Sequence, residues 1–140
     1  MSPCNFRIVR DLDPAAVIRL YSQADWWEPG DVADAVIPLL HGSFRVAAAF
    51  DGERLVGMAR ALSDGASDAY IQDVVVDPAY RKQGIGGALV RLLLEELKKC
   101  GVSWIGLIGA PGTEHFYREL GFTSMEGFLP MRFTGDHQEE

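Results

Sequence analysis

Residues 69–99 read AYIQDVVVDPAYRKQGIGGALVRLLLEELKK. The first part, Ala69 to Asp77, holds three successive valines and reads as a strand buried on both faces, ended by Pro78. The second part is a helix. From Ile85 its apolar residues fall at Ala88, Leu89, Leu92, Leu93 and Leu97, the spacing of a core-facing stripe. Lys98 and Lys99 suit its last turn, and Gly101 is placed as its C-cap. Between strand and helix lies Arg81-Lys82-Gln83-Gly84-Ile85-Gly86-Gly87-Ala88. Three glycines at a helix start disfavour the helix and need a reason. Close approach of a phosphate supplies one: residues without Cβ let an anion reach successive amides where the helix dipole favours negative charge, with Arg81 and Lys82 at the edge. The alternative is a tight strand-to-helix turn and nothing more. The Walker A pattern is absent, and Gly84 to Leu89 lacks the third glycine of GxGxxG.

Outward from this unit, strands and helices alternate, which argues for an α/β (α+β) layered fold. Asn5–Arg10 reads as a short strand, and Asp13-Pro14 opens a helix through Val17, Leu20 and Tyr21. Trp26-Trp27-Glu28-Pro29-Gly30 breaks it, and a second helix is expected from Asp31 to about Leu40. Phe44–Phe50 and Arg54–Leu62 read as a hairpin around Asp51-Gly52. After the long helix come a buried strand, Val102–Ile108, a short helix, Glu114–Leu120, and strands at Phe122–Met125 and Phe128–Phe133. No repeat or linker divides the chain, so residues 1–140 are expected to form one domain, with a core over 5–133 and a polar tail over 134–140.

Composition limits the partners. The 140 residues are 48% hydrophobic and 24% charged with a net charge of -7, the balance of a folded globular protein. A pI near 4.9 argues against nucleic acid as the main partner. No apolar run approaches a membrane span, and Arg7 and Asp11 interrupt the N-terminus before a signal-like segment develops, so a cytoplasmic location without membrane attachment is the expectation. Cys4 and Cys100 are far apart, and His41, His115 and His137 are isolated, so no metal site is expected.

Arg81-Lys82-Gln83-Gly84-Ile85-Gly86 resembles the R/Q-x-x-G-x-G/A motif of the GNAT superfamily of N-acetyltransferases. Phe116-Tyr117-Arg118-Glu119-Leu120-Gly121-Phe122 resembles that family's late FY-x-x-x-GF signature, and the order of elements is similar from Phe6 to about Phe133. The resemblance implies a GNAT fold: a mixed central sheet of six to seven strands flanked by four helices, with two parallel strands splayed apart around acetyl-CoA. Pantetheine would pair with the backbone of Val74, Val75 and Val76. The pyrophosphate would rest on amides of Gln83, Gly84, Ile85, Gly86, Gly87 and Ala88, beside Arg81 and Lys82. The family transfers acetyl directly to an amine in a ternary complex.

The same resemblance assigns Tyr117 as general acid, with the alternative that it only anchors its helix, and assigns the Val76 amide, or one near it, to polarising the thioester. The base is less determined. Gln72 stands where polyamine-type relatives carry glutamate, and an amide cannot accept a proton. Asp73 remains, an acid in an apolar strand that requires a partner or a perturbed pKa. It can equally be a structural carboxylate, and Glu28 or a water relay is then the alternative base. Ala110 replaces an asparagine that many relatives use on the coenzyme.

Trp26 and Trp27 fall where the family builds its acceptor pocket, one expected buried and one lining it, with Glu28 or Asp25 attracting an ammonium and Tyr70 a further candidate. A small-molecule amine is the expected acceptor. The alternatives are a catalytically silent acyl-CoA-binding regulatory module and an acetyltransferase acting on a protein N-terminus. By analogy with relatives, a homodimer is expected.

Overall fold

The Asp13 carboxylate accepts a hydrogen bond from the Ala15 amide at 3.2 Å, and Pro14 supplies the first helical residue of α1 (Pro14–Gln23). An N-cap followed by proline sets this start, as its sequence predicts. The computed structural model describes residues 4–27 and 33–135. Glu28 and the expected helix start at Asp31 lie outside the described residues. The second helix, α2, covers Val36–His41 behind a 3-10 turn at Ala33–Ala35.

Two compact units divide the chain between Leu107 and Ile108. The first contains a five-stranded mixed sheet in sequence order: β1 (Asn5–Val9), β2 (Arg45–Asp51), β3 (Arg54–Ser63), β4 (Asp68–Val76) and β5 (Trp104–Gly106). All neighbours are antiparallel except β4 and β5. On one face Val17, Leu20 and Tyr21 of α1 and Val36 and Leu40 of α2 pack with Val46, Ala48, Met58 and Val75. The long helix α3 (Ile85–Lys99) covers the other face, burying Ile85, Leu89, Val90, Leu93 and Leu97. It approaches β3 closely at Gly57, where a Cβ would stand 3.1 Å from Leu89 Cδ1 and 3.2 Å from Ile85 Cγ2.

Several expectations are corrected here. Of the three valines only Val75 is fully buried, and Val74 and Val76 are half-buried. The strand expected over 102–108 is reduced to three residues, with Trp104 exposed. In the second unit the described residues form one helix, α4 (Glu114–Glu119), and the expected strands at 122–125 and 128–133 are not formed. Phe128, Leu129, Met131 and Phe133 are exposed there, so no pairing ladder or packing supports extended structure. The sheet therefore has five strands rather than six or seven, while the four helices match among the described residues.

Candidate active site

The site is built around the point where β4 loses its parallel neighbour. β4 and β5 pair only at Asp68 with Trp104, Ala69 with Ile105 and Tyr70 with Gly106. β4 continues to Val76, so among the described residues its β5-side edge from Ile71 onward meets no strand. That edge carries Val74, Val75 and Val76, and its unpaired backbone groups suit a ligand that hydrogen-bonds as a strand does.

Immediately beyond it the chain is held by Asp77, which is 2% exposed. Its Oδ1 accepts from the Ala79 amide at 2.9 Å and its Oδ2 from Arg54 at 2.9 Å. Burial opposes the charge of Asp77, but the Ala79 amide and Arg54 outweigh it, and the carboxyl pKa lies below its ordinary value. Tyr80 donates to Asp51 Oδ2 at 2.6 Å, tying the turn to the β2–β3 hairpin.

The chain then passes through two left-handed residues, Lys82 (φ 64°) and Gly84 (φ 80°). Gly84 is the N-cap of α3 and has no side chain to cap it, and a Cβ built on it would meet nothing within 4 Å. Ala88 donates to the Gly84 carbonyl at 3.1 Å, so the amides of Ile85, Gly86 and Gly87 precede the first helical bond. Arg81, Lys82 and Gln83 are exposed beside them. An open, cation-edged run of free amides at a 15-residue helix fits a pyrophosphate. The residues present thus fit both halves of a coenzyme A: a strand edge for the pantetheine arm and an anion cradle for its phosphates.

The second half of the site is on the α1 face of the sheet. The register between β3 and β4 slips between Met58 and Arg60, and Asp73 stands at the slip with φ 55°. Tyr21, 1% exposed, donates to Asp73 Oδ2 at 2.9 Å, and Arg60 Nε donates to the same oxygen at 2.7 Å. Arg60 also donates to Ser43 Oγ at 3.3 Å. Burial first, and the Asp73 charge second, push the Tyr21 pKa well above the ordinary tyrosine value. The Asp73 side chain remains 25% exposed, and Gln72 is half-buried opposite Arg60.

Trp26 and Trp27 both meet the Tyr21 ring edge-on, at 5.3 and 5.1 Å between centroids. Trp27 packs against the core, whereas Trp26 is exposed. Tyr70 is also exposed and lies 5.3 Å from the ring of Trp104. Sequence reasoning missed Tyr21, Arg60 and Trp104. Tyr21 fits an ordinary core stripe, Arg60 is one polar residue in a strand, and Trp104 sits in an apolar run that reads as buried.

Tyr117 belongs to the second unit. It is half-buried on α4, edge-on to Phe116 at 4.8 Å and to Phe122 at 5.8 Å, and burial raises its pKa. Ahead of α4, the Ala110 carbonyl accepts from the Thr113 hydroxyl at 2.6 Å and from the Thr113 amide at 3.2 Å, closing the turn. Among the described residues no cluster of three histidine, cysteine or acidic side chains could hold a metal ion, and no helix is long and apolar enough to cross a membrane.

Comparison with known proteins agrees with this geometry. A histone acetyltransferase of soybean (TAP1, Glycine max) is 43% identical over 86 residues, which are 61% of this chain and 37% of that protein. The chloroplastic GCN5-related N-acetyltransferase 1 of Arabidopsis thaliana is 45% identical over 71 residues, 51% of this chain and 36% of that protein. The match thus spans little more than a third of the length of these plant proteins. Among solved structures, a GNAT family acetyltransferase of Streptococcus pneumoniae superposes with a TM-score of 0.76 at 25% identity, covering 93% of this chain and 98% of that one. The profile of the Acetyltransferase (GNAT) family matches residues 9–122, which takes in β2 to β5, the glycine turn and the FY signature alike. With its splayed strands, its amide cradle and that match over most of its length, the chain belongs to the GNAT family of acetyltransferases.

Proposed function

We propose that the chain is an acetyl-CoA-dependent N-acetyltransferase that passes an acetyl group directly to the primary amine of a small molecule. The observation that carries this reading is the unpaired edge of β4 running into the left-handed Lys82–Gly84 turn at the start of α3. Bound acetyl-CoA supplies the activated acetyl group as a thioester. Amides from Gln83 to Ala88, with Arg81 and Lys82, hold the pyrophosphate, and the backbone of Val74 to Val76 orients the pantetheine arm. The Val76 amide donates to the thioester carbonyl oxygen, where negative charge builds up during attack. Asp73 draws the acceptor ammonium to the α1 face of the sheet and takes the proton that the amine must lose before it attacks. Tyr117 serves as general acid, a phenol that keeps its proton at neutral pH. Trp26, the exposed member of the tryptophan pair, contributes to the acceptor pocket.

Thermal unfolding in the presence of acetyl-CoA tests the first half. At one hundred times the dissociation constant the native state gains about 2.7 kcal/mol, a shift of about 9 °C for a domain of this size. Release of free thiol with a panel of amines, using wild type and Tyr117→Phe, tests the second half. Turnover is expected to fall at least tenfold in the variant with its acetyl-CoA shift intact. Absence of any shift at millimolar acetyl-CoA would overturn the reading.

A further inference from the structure

We infer that Tyr70 and Trp104 form an aromatic platform that selects acceptors carrying a planar ring on a short arm from the amine. The inference rests on the acetyltransferase reading above and adds the acceptor class to it. It starts from the register. Tyr70 pairs with Leu62 and Gln72 with Arg60, so Tyr70, Gln72 and Arg60 share one face of the sheet. Arg60 binds Asp73 and thereby identifies that face as the one bearing the carboxylate. Tyr70 also pairs with Gly106, and Trp104, two residues before it on β5, points to the same side.

The two rings are held in place. A Cβ on Gly106 would stand 2.4 and 2.7 Å from two atoms of the Trp104 ring, so the indole occupies the space that any other residue there would fill. The Tyr70 ring stands 5.3 Å from it with the ring planes at 59°. Despite this support the pair is open: Tyr70 is 46% exposed and Trp104 37%. Two large aromatic surfaces, fixed and unburied on a sheet, favour a planar apolar partner through stacking and edge contacts.

Charge selects what that partner carries. Asp73 follows Tyr70 by three residues, about 10 Å at the rise of a strand and less across the register slip. One molecule with a ring on Tyr70 and Trp104 and a protonated amine at Asp73 satisfies both ends. An aliphatic amine uses only the carboxylate, and a neutral aromatic molecule only the rings.

Acetylation of tryptamine, 2-phenylethylamine and n-hexylamine by wild type, Trp104→Leu and Tyr70→Leu reads this out. The expected result is a higher kcat/KM for the ring amines in wild type. The ratio of kcat/KM for tryptamine over n-hexylamine should fall about five- to tenfold in either variant, the range of an aromatic pair. Use of two variants on different strands guards against one of them failing to fold. A ratio unchanged in both folded variants, or no wild-type preference for ring amines, overturns the inference. Calorimetric titration of the same amines decides it without turnover. Ring-selective binding that weakens in Trp104→Leu supports the platform even if nothing is acetylated, and only the acetyltransferase reading then fails. Binding of tryptamine no tighter than n-hexylamine overturns the platform and leaves acetyl transfer standing.

Discussion

Replacing Tyr21 with Phe removes one oxygen from the interior of the first unit and little else. The ring keeps its edge contacts with Trp26 and Trp27, and no cavity larger than a hydroxyl opens. What is lost is the 2.9 Å bond to Asp73 Oδ2. A hydrogen bond to a charged acceptor contributes about 1.5–3 kcal/mol. Asp73 retains Arg60 at 2.7 Å and is itself 25% exposed, so the lower part of that range applies, about 2 kcal/mol. Urea unfolding followed by tryptophan fluorescence at pH 7 should show that loss, and thermal unfolding a drop of about 7 °C. The pH dependence sharpens the test. Tyr21 has a raised pKa in the folded chain, so its contribution is complete below the unfolded tyrosine value and declines as pH rises above it. Protons bound to the unfolded state decide the sign: above about pH 10 the unfolded tyrosine ionises while the folded one does not, and wild type loses stability that Tyr21→Phe cannot lose. The gap between the two proteins should therefore narrow by pH 11. A variant as stable as wild type at pH 7, or a difference that stays constant up to pH 11, would refute a buried Tyr21–Asp73 bond.

Gly57→Ala should cost about 1–3 kcal/mol in the same urea assay, because its methyl group would meet Leu89, Ile85 and the Val75 carbonyl at 3.1–3.3 Å. Asp77→Ala removes the acceptor of both Ala79 and Arg54 and should cost about 1–2 kcal/mol at pH 7. Since the Asp77 pKa is depressed on folding, its contribution is present above the unfolded aspartate value and is lost as pH falls, so the gap to wild type should close below about pH 4. Asp73→Asn keeps an acceptor and a residue tolerant of left-handed backbone, and should cost about 1–2 kcal/mol by denaturation; Asp73→Ala strands Arg60 and Tyr21 and should cost about 3 kcal/mol or more. Equal stabilities for the two would refute that ordering.

Local signals made the coenzyme half of the site readable from the residues. The stripe of α3, the glycines before it and the proline after Asp77 act within one turn of the chain, where spacing translates directly into geometry. The acceptor half depends on partners far away in sequence. Tyr21 and Asp73 are separated by 52 positions, and only the packing of α1 on β4 brings them into contact. Trp104 illustrates the same point. An apolar run Val102–Ile108 reads as buried, yet β5 is the last strand of the described sheet and pairs on one side only, which its own residues do not encode. The late apolar segments fail for a related reason. Their pattern allows strands, but a strand exists only with a partner, and none is formed with the described residues 122–133.

Alternation along β4 explains why the carboxylate needs a backbone irregularity. Val76 pairs with Gly57, on the side where α3 brings Ile85 and Leu89, and Ile71, paired with Ala61, lies on that same side. A regular strand would turn Asp73 the same way as Ile71, into the leucines of α3, where an unpaired charge is strongly disfavoured. The extra residue between the Arg60 and Met58 pairings resets the phase. Asp73 turns to Tyr21 and Arg60, while Val75 still reaches Met58 and the α1 core. A left-handed aspartate costs about 1 kcal/mol, and the bonds from Tyr21 and Arg60 more than offset it. The same slip lies where β4 has already left β5, so the residue that sets the carboxylate facing the acceptor side also belongs to the stretch that opens an edge for the coenzyme. Straightening the strand would therefore turn the carboxylate into the leucines of α3, so a charged residue in the middle of this valine-rich strand depends on the irregularity.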